Sequence, residues 1–356
     1  MMFALRKLFQ ILFTTGLVVL TTRASNIPVF RHALERWPAA DYELVVFHRG
    51  ELEQEEQVLA DRLRLAPGQS FANVAVRMVD VSGQMEEAMA DLWTCQTNPL
   101  PPWVVVRAPA TSADSSPVWS GRLTAAVADA LLDSPARRKI VANLLRGATA
   151  VWVLLESGEA MRDEAAVDVL SAELKRLEKT LKLSVSGEAK LRSPLPLAVE
   201  FALVRVTRTD PAEEFFVTLL QHGKALFPAR PVAFPIFGRG RTPGSLVGRE
   251  IDAESIGQAC ASIVGACVRE AKEQHPGRDL LLAANWDAIF KADAVRQTAG
   301  AATGRAPAAA VASPASTPLE SRTGVGPWLW LGGFLVVVAG GVLVMFRRRP
   351  DHGRKI

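Results

Sequence analysis

Tyr42-Glu43-Leu44-Val45-Val46-Phe47-His48-Arg49-Gly50-Glu51-Leu52-Glu53-Gln54-Glu55-Glu56-Gln57-Val58-Leu59-Ala60-Asp61-Arg62-Leu63-Arg64 opens as an apolar strand and continues as a helix, acidic at its start and basic at its end. Glu43–His48 reads as a short apolar strand. Acidic Glu51, Glu53, Glu55 and Glu56 complement the positive end of a helix dipole, so they read as a solvated helix start. The junction between strand and helix is His48-Arg49-Gly50-Glu51.

Reading outward, a strand at 73–81, a helix at 84–92, strands at 101–107 and 118–122 and a helical stretch at 123–145, interrupted near Pro135, follow in order. The same order then recurs. Strand 150–156 leads into a helix with apolar Val167, Leu170, Leu174, Leu177 and Leu181 at intervals of three and four. Strand 199–207, helix 212–220, strands 232–238 and 245–249 and helix 252–272 complete the second copy. Val79-Asp80-Val81 is matched with Val204-Arg205-Val206, and Gly121-Arg122 with Gly248-Arg249. The order predicts an α/β fold in which each copy is a mixed central sheet flanked by helices. The apolar runs at 74–79, 103–106 and 201–204 are expected to be central strands.

Three features of each copy resemble the thioredoxin-like fold, over about residues 27–286. A proline precedes or opens the third strand (Pro102; Pro235), a hairpin strand ends in glycine, and an amphipathic helix closes the unit. The resemblance implies two tandem thioredoxin-like domains, 27–147 and 148–292. In that family the proline is cis and faces a Cys-x-x-Cys turn, where the helix N-terminus activates a thiolate. The corresponding turns here are His48-Arg49-Gly50-Glu51 and Glu156-Ser157-Gly158-Glu159, neither with sulfur. The family's redox chemistry is therefore expected to be absent.

The ends of the chain predict its location. Residues 1–24 carry Arg6 and Lys7, an apolar stretch and a small-residue exit at Thr22 and Ala24, the pattern of a secretory signal peptide; an uncleaved anchor is the alternative. Residues 293–325 are rich in Ala, Pro, Ser and Thr and read as a flexible linker, with a span on the order of 30 Å. From Pro327 to Phe346 about 20 apolar residues suffice for a transmembrane helix. Trp328 and Trp330 are placed at one interface, and Arg347, Arg348 and Arg349 at the cytoplasmic one, leaving 347–356 as a basic tail. The expected location is the cell membrane, crossed once, with the bulk of the chain outside the cytoplasm. A processed sorting signal is the alternative for the C-terminal segment, although no Pro-Glu-Pro or Leu-Pro-x-Thr-Gly signature precedes it.

The 41 Lys and Arg against 37 Asp and Glu leave a formal charge of +4, and no basic run with interleaved aromatics supports nucleic-acid binding. Five scattered histidines and three cysteines lack metal-ligand spacing, so neither a metal nor another cofactor is expected. Cys260 and Cys267 are read as small core residues on one helix. Cys95, near the proline edge, is the weak candidate for thiol chemistry. The loop Gly238-Arg239-Gly240-Arg241-Thr242-Pro243-Gly244 leads into a strand, so it reads as a hairpin turn rather than a phosphate cradle, while Arg239 and Arg241 could meet an acidic partner. His48 reads as a solvated turn residue. The functional expectation is a membrane-anchored, non-redox binding or scaffolding module for an unidentified protein partner. Its rivals are an oxidoreductase using Cys95 and a subunit of a membrane complex joined through Gly332, Gly333, Gly340 and Gly341.

Overall fold

A computed structural model describes residues 25–64, 71–110, 116–183, 191–223, 229–267 and 271–290. The expected signal peptide, linker, transmembrane helix (with Trp328, Trp330 and Arg347 to Arg349) and basic tail lie outside them. Among the described residues no helix is long and apolar enough to cross a membrane.

The fold is mixed α/β, with helices flanking two four-stranded sheets. The first sheet contains β2 (Tyr42–His48), β3 (Val74–Asp80), β4 (Trp103–Arg107) and β5 (Pro117–Arg122), in the order β3-β2-β4-β5. Within it β2 runs parallel to β3 and antiparallel to β4, and β4 is antiparallel to β5. The helices of this half are α2 (Gln54–Arg64), α3 (Glu87–Thr94), α4 (Ala125–Leu132) and α5 (Pro135–Leu145).

The second sheet contains β6 (Ala150–Leu155), β7 (Phe201–Val206), β8 (Val232–Ile236) and β10 (Leu246–Val247), in the order β10-β8-β6-β7. Its pairings repeat those of the first: β6 parallel to β7 and antiparallel to β8, with β8 antiparallel to β10. Its helices are α6 (Ala160–Thr180), α7 (Glu214–Gln221) and α8 (Ala253–Val264). A short pair, β9 (Arg241–Thr242) with β12 (Arg278–Asp279), lies beside it, and β1 (Ser25–Pro28) pairs with β11 (Ala266–Cys267). The remaining helix, α1 (Val29–Arg36), follows β1 directly.

Residue register makes the likeness of the two sheets specific. Phe47 pairs with Val79 and Trp103, and Leu155 pairs with Val206 and Val232. The next residue is His48 in one half and Glu156 in the other. Val74 to Glu87 and Phe201 to Glu214 span the same number of residues from strand start to helix start. Thr124 caps α4 by accepting from the Val127 amide, and Asp252 caps α8 by accepting from the Ser255 amide. This register corrects two matches made from sequence: Val79 corresponds to Val206 rather than Val204, and Arg122 to Val247 rather than Arg249.

Burial is deepest along β2 and β6, inner strands of the two sheets. All six residues of β6 are buried, and Leu44, Val45, Val46 and Phe47 of β2 have no exposure. Each buried Val, Leu or Phe contributes roughly 1.5–3 kcal/mol. The runs at 74–79 and 201–204 prove to be edge strands and are only partly buried, because each has a neighbour on one side alone. In α6, Ala166, Leu170, Leu174 and Leu177 face α8 across Ile256 and Cys260, while Val167 and Leu181 of the expected stripe pack at its margin.

The halves are laced together within one compact unit. The N-terminal residues lie on the second half: Phe30, Ala33 and Trp37 join Ala150, Phe237 and Ile263 in one cluster. Gly238 is required there, since a Cβ would meet the Ala33 Cβ at 2.6 Å. The C-terminal described residues return to the first half, where Leu282 N donates to Asn73 Oδ1 at 3.0 Å and Ala72 bridges to Ala283. Between the halves, Glu213 accepts from the Ser134 hydroxyl and the Ala136 amide, both at 2.6 Å, and so caps α5.

Candidate functional site

The two strand-to-helix turns occupy equivalent places in the two sheets. Gly50 (φ +66°) and Gly158 (φ +89°) both adopt the left-handed backbone that favours glycine. In the first turn, Asp80 Oδ1 accepts from the Gly50 amide at 2.9 Å, the Ser82 amide at 2.9 Å and the Ser82 hydroxyl at 2.7 Å. The Gly50 bond, followed by those from Ser82, holds the Asp80 carboxyl down at about 2, with a smaller contribution from the charge of His48. His48 Nδ1 lies 2.8 Å from the Gly50 carbonyl oxygen, and its ring is half-buried.

In the second turn, Thr207 stands where Asp80 stands in the first, and the carboxylate comes from the helix instead. Buried Asp163 accepts from Ser157 N at 2.7 Å, Ser157 Oγ at 2.8 Å and Gly158 N at 3.0 Å. In both turns a carboxylate of the chain itself accepts from turn amides, Gly50 in the first and Ser157 and Gly158 in the second.

The peptide bond between Pro101 and Pro102 is cis. Pro102 precedes β4 beside the first turn, and its carbonyl accepts from Leu123 N at 2.8 Å. Pro235 does not occupy the matching place: it lies inside β8 opposite Trp152, and its preceding bond is not among the cis bonds. The register equivalent of Pro102 is Pro231, whose carbonyl accepts from Gly248 N at 2.9 Å. That bond turns positions 231, 233 and 235 of the strand toward β10. Because β10 stops at Leu246, opposite Ala233, the missing N–H of Pro235 forfeits no ladder bond.

All three cysteines are free. Cys260 is buried in α8, and desolvation pushes its thiol up to about 12. Cys267 is buried too, but not on the same helix as expected. The α8 helix ends at Val264, Gly265 turns extended, and Cys267 lies in β11 opposite Ser25. Cys95, the exposed one, caps the C-terminus of α3.

The arginines of the 238–244 loop are used internally. Arg239 donates to the Leu34 carbonyl at 2.8 Å and meets Asp287 at 3.0 Å. Buried Arg241 pairs with Asp279 at 3.0 Å, and Lys272 also reaches Asp279. Arg241, Lys272 and Asp279 wall a cleft of about 500 Å³ between the halves, in which Arg278 donates to the Leu219, Leu220 and His222 carbonyls at the end of α7. Its cations are thus committed to the fold. No group of His, Cys, Asp and Glu among the described residues could hold a metal ion.

No known protein family matches the chain, and no curated protein matches it in sequence.

A second concavity, of about 790 Å³, lies beside the second turn. One wall is α6, through Ala166 and Val169. The other is Pro231, Val247 and Ile251. Arg162, Arg230 and Arg249 rim it, all exposed, with Glu250 the single acidic residue of the lining. Sequence reading missed this groove, because its arginines come from three separate segments and converge only through the β8–β10 pairing.

Proposed function

We propose that the chain is an exported, single-pass membrane protein whose two thioredoxin-like units bind a protein partner and exchange no thiols. The shared strand order and the paired positive-φ glycines support reading each half as such a unit. The observation that carries the functional part is the pair of turns, His48-Arg49-Gly50-Glu51 and Glu156-Ser157-Gly158-Glu159. Each is built and internally hydrogen-bonded without sulfur.

The reading requires the basic and aromatic residues around 327–349 to anchor the chain, with 293–325 as the leash that holds the folded part off the bilayer. Cys95 is then a surface residue without a catalytic role. Turnover of a small aromatic disulfide by a dithiol reductant is expected to run at the same rate with wild type and Cys95→Ser, once the single stoichiometric exchange at Cys95, which forms a mixed disulfide and releases one aromatic thiolate, is subtracted. Turnover with a dithiol reductant that disappears in Cys95→Ser would replace the binding reading with the oxidoreductase one. Co-purification from detergent-solubilised membranes identifies the partner.

A further inference from the structure

We propose that the arginine-rimmed groove beside the second turn docks an extended acidic segment of a partner protein. The proposal rests on the reading of the chain as a binding module and names the surface and chemistry it would use. Arg230 and Arg249 are exposed and pair with no carboxylate among the described residues. Arg162 is paired with Glu159 at 3.1 Å and donates to the Ala229 carbonyl at 2.8 Å, so it is held at the rim. Arg208 reinforces the same side, donating to the Glu156 carbonyl at 2.7 Å and the Arg230 carbonyl at 3.1 Å. Glu250, held by the Val247 amide at 2.9 Å, is the one carboxylate of the lining against three arginines.

Between these charges the floor is apolar, and Val169 is 38% exposed there without a covering residue. Charges at the rim and an apolar floor match a strand that alternates acidic and apolar side chains. A lipid headgroup would use the arginines but leave the apolar floor empty, so a peptide is the better fit.

The test uses the full chain in detergent micelles and a fluorescein-labelled heptapeptide of alternating glutamate and valine, followed by anisotropy. Saturable binding is expected, weakened about tenfold or more in Arg230→Glu/Arg249→Glu and about threefold in Arg249→Gln. It should fall with added salt and be absent for the lysine–valine peptide. Identical curves for wild type and the double variant, or no saturation with wild type, overturn the proposal. Arginine-dependent binding to phosphatidylglycerol vesicles without peptide binding overturns it in favour of a lipid. A partner that still co-purifies with Arg230→Glu/Arg249→Glu overturns the groove assignment while leaving the binding-module reading intact.

Discussion

Replacing Glu35 by alanine is expected to destabilise the folded chain by about 3–5 kcal/mol, because it strands a buried guanidinium. Arg31 and Glu35 are one turn apart on α1, 2.9 Å from each other and with no side-chain exposure. Glu35 also accepts from the Arg192 amide at 2.8 Å and the Ser193 amide at 3.1 Å, and Arg31 donates to the Ser193 and Leu195 carbonyls at 2.9 and 2.5 Å. The pair therefore fastens the N-terminal helix to the segment that leads into β7. Desolvation lowers the Arg31 pKa despite the opposing attraction of Glu35, which shows how poorly hydrated the cation is. Thermal melts should show a drop of roughly 2–4 °C per kcal/mol for a unit near this size. Arg31→Met/Glu35→Leu, which removes both charges, should recover part of the loss, leaving the deficit of the unpartnered 192–195 backbone. A Glu35→Ala melt indistinguishable from wild type would mean that α1 does not hold this position.

Asp279→Ala should cost a similar amount, about 3–5 kcal/mol. The Asp279 carboxylate is almost fully enclosed and faces Arg241, Lys272 and the Ala40 amide, the last at 2.8 Å. Its own carbonyl accepts from the Tyr42 hydroxyl at 2.8 Å. Removing the carboxylate leaves two cations without a counterion at the point where the C-terminal strap crosses the start of β2. Denaturant unfolding measures the cost, and the loss should shrink when Arg241→Met is added. A loss that stays below about 1 kcal/mol, the scale of an exposed ion pair, would show that the cluster is hydrated.

The elements were legible in sequence where they are locally determined. The apolar runs at 43–48 and 150–156 announce the strands β2 and β6, the run at 103–106 announces the inner strand β4, and the stripe through Leu170, Leu174 and Leu177 announces α6. Pro135 announced the break between α4 and α5, because proline is tolerated at a helix start and not within one. What pattern could not reveal was set by distant partners. The runs 74–79 and 201–204 have the composition of central strands, yet only pairing decides which strand is an edge. Pro235 carries the expected residue type, but register gives the matching place to Pro231. The helix read as 252–272 ends at Val264, since β11 is needed to pair with the N-terminal strand. The arginine-rimmed groove was invisible for the same reason.

The central claim, an exported body leashed to a bilayer with no working thiol, is tested most directly by labelling cysteines in sealed, right-side-out membrane vesicles with a membrane-impermeant maleimide. The account predicts modification of Cys95 in intact vesicles, with Cys260 and Cys267 unmodified until the chain is unfolded. A cysteine placed at Asp351 should react only after the vesicles are opened. Protection of Cys95 in intact vesicles, with ready labelling of the Asp351 position, would invert the topology and contradict it.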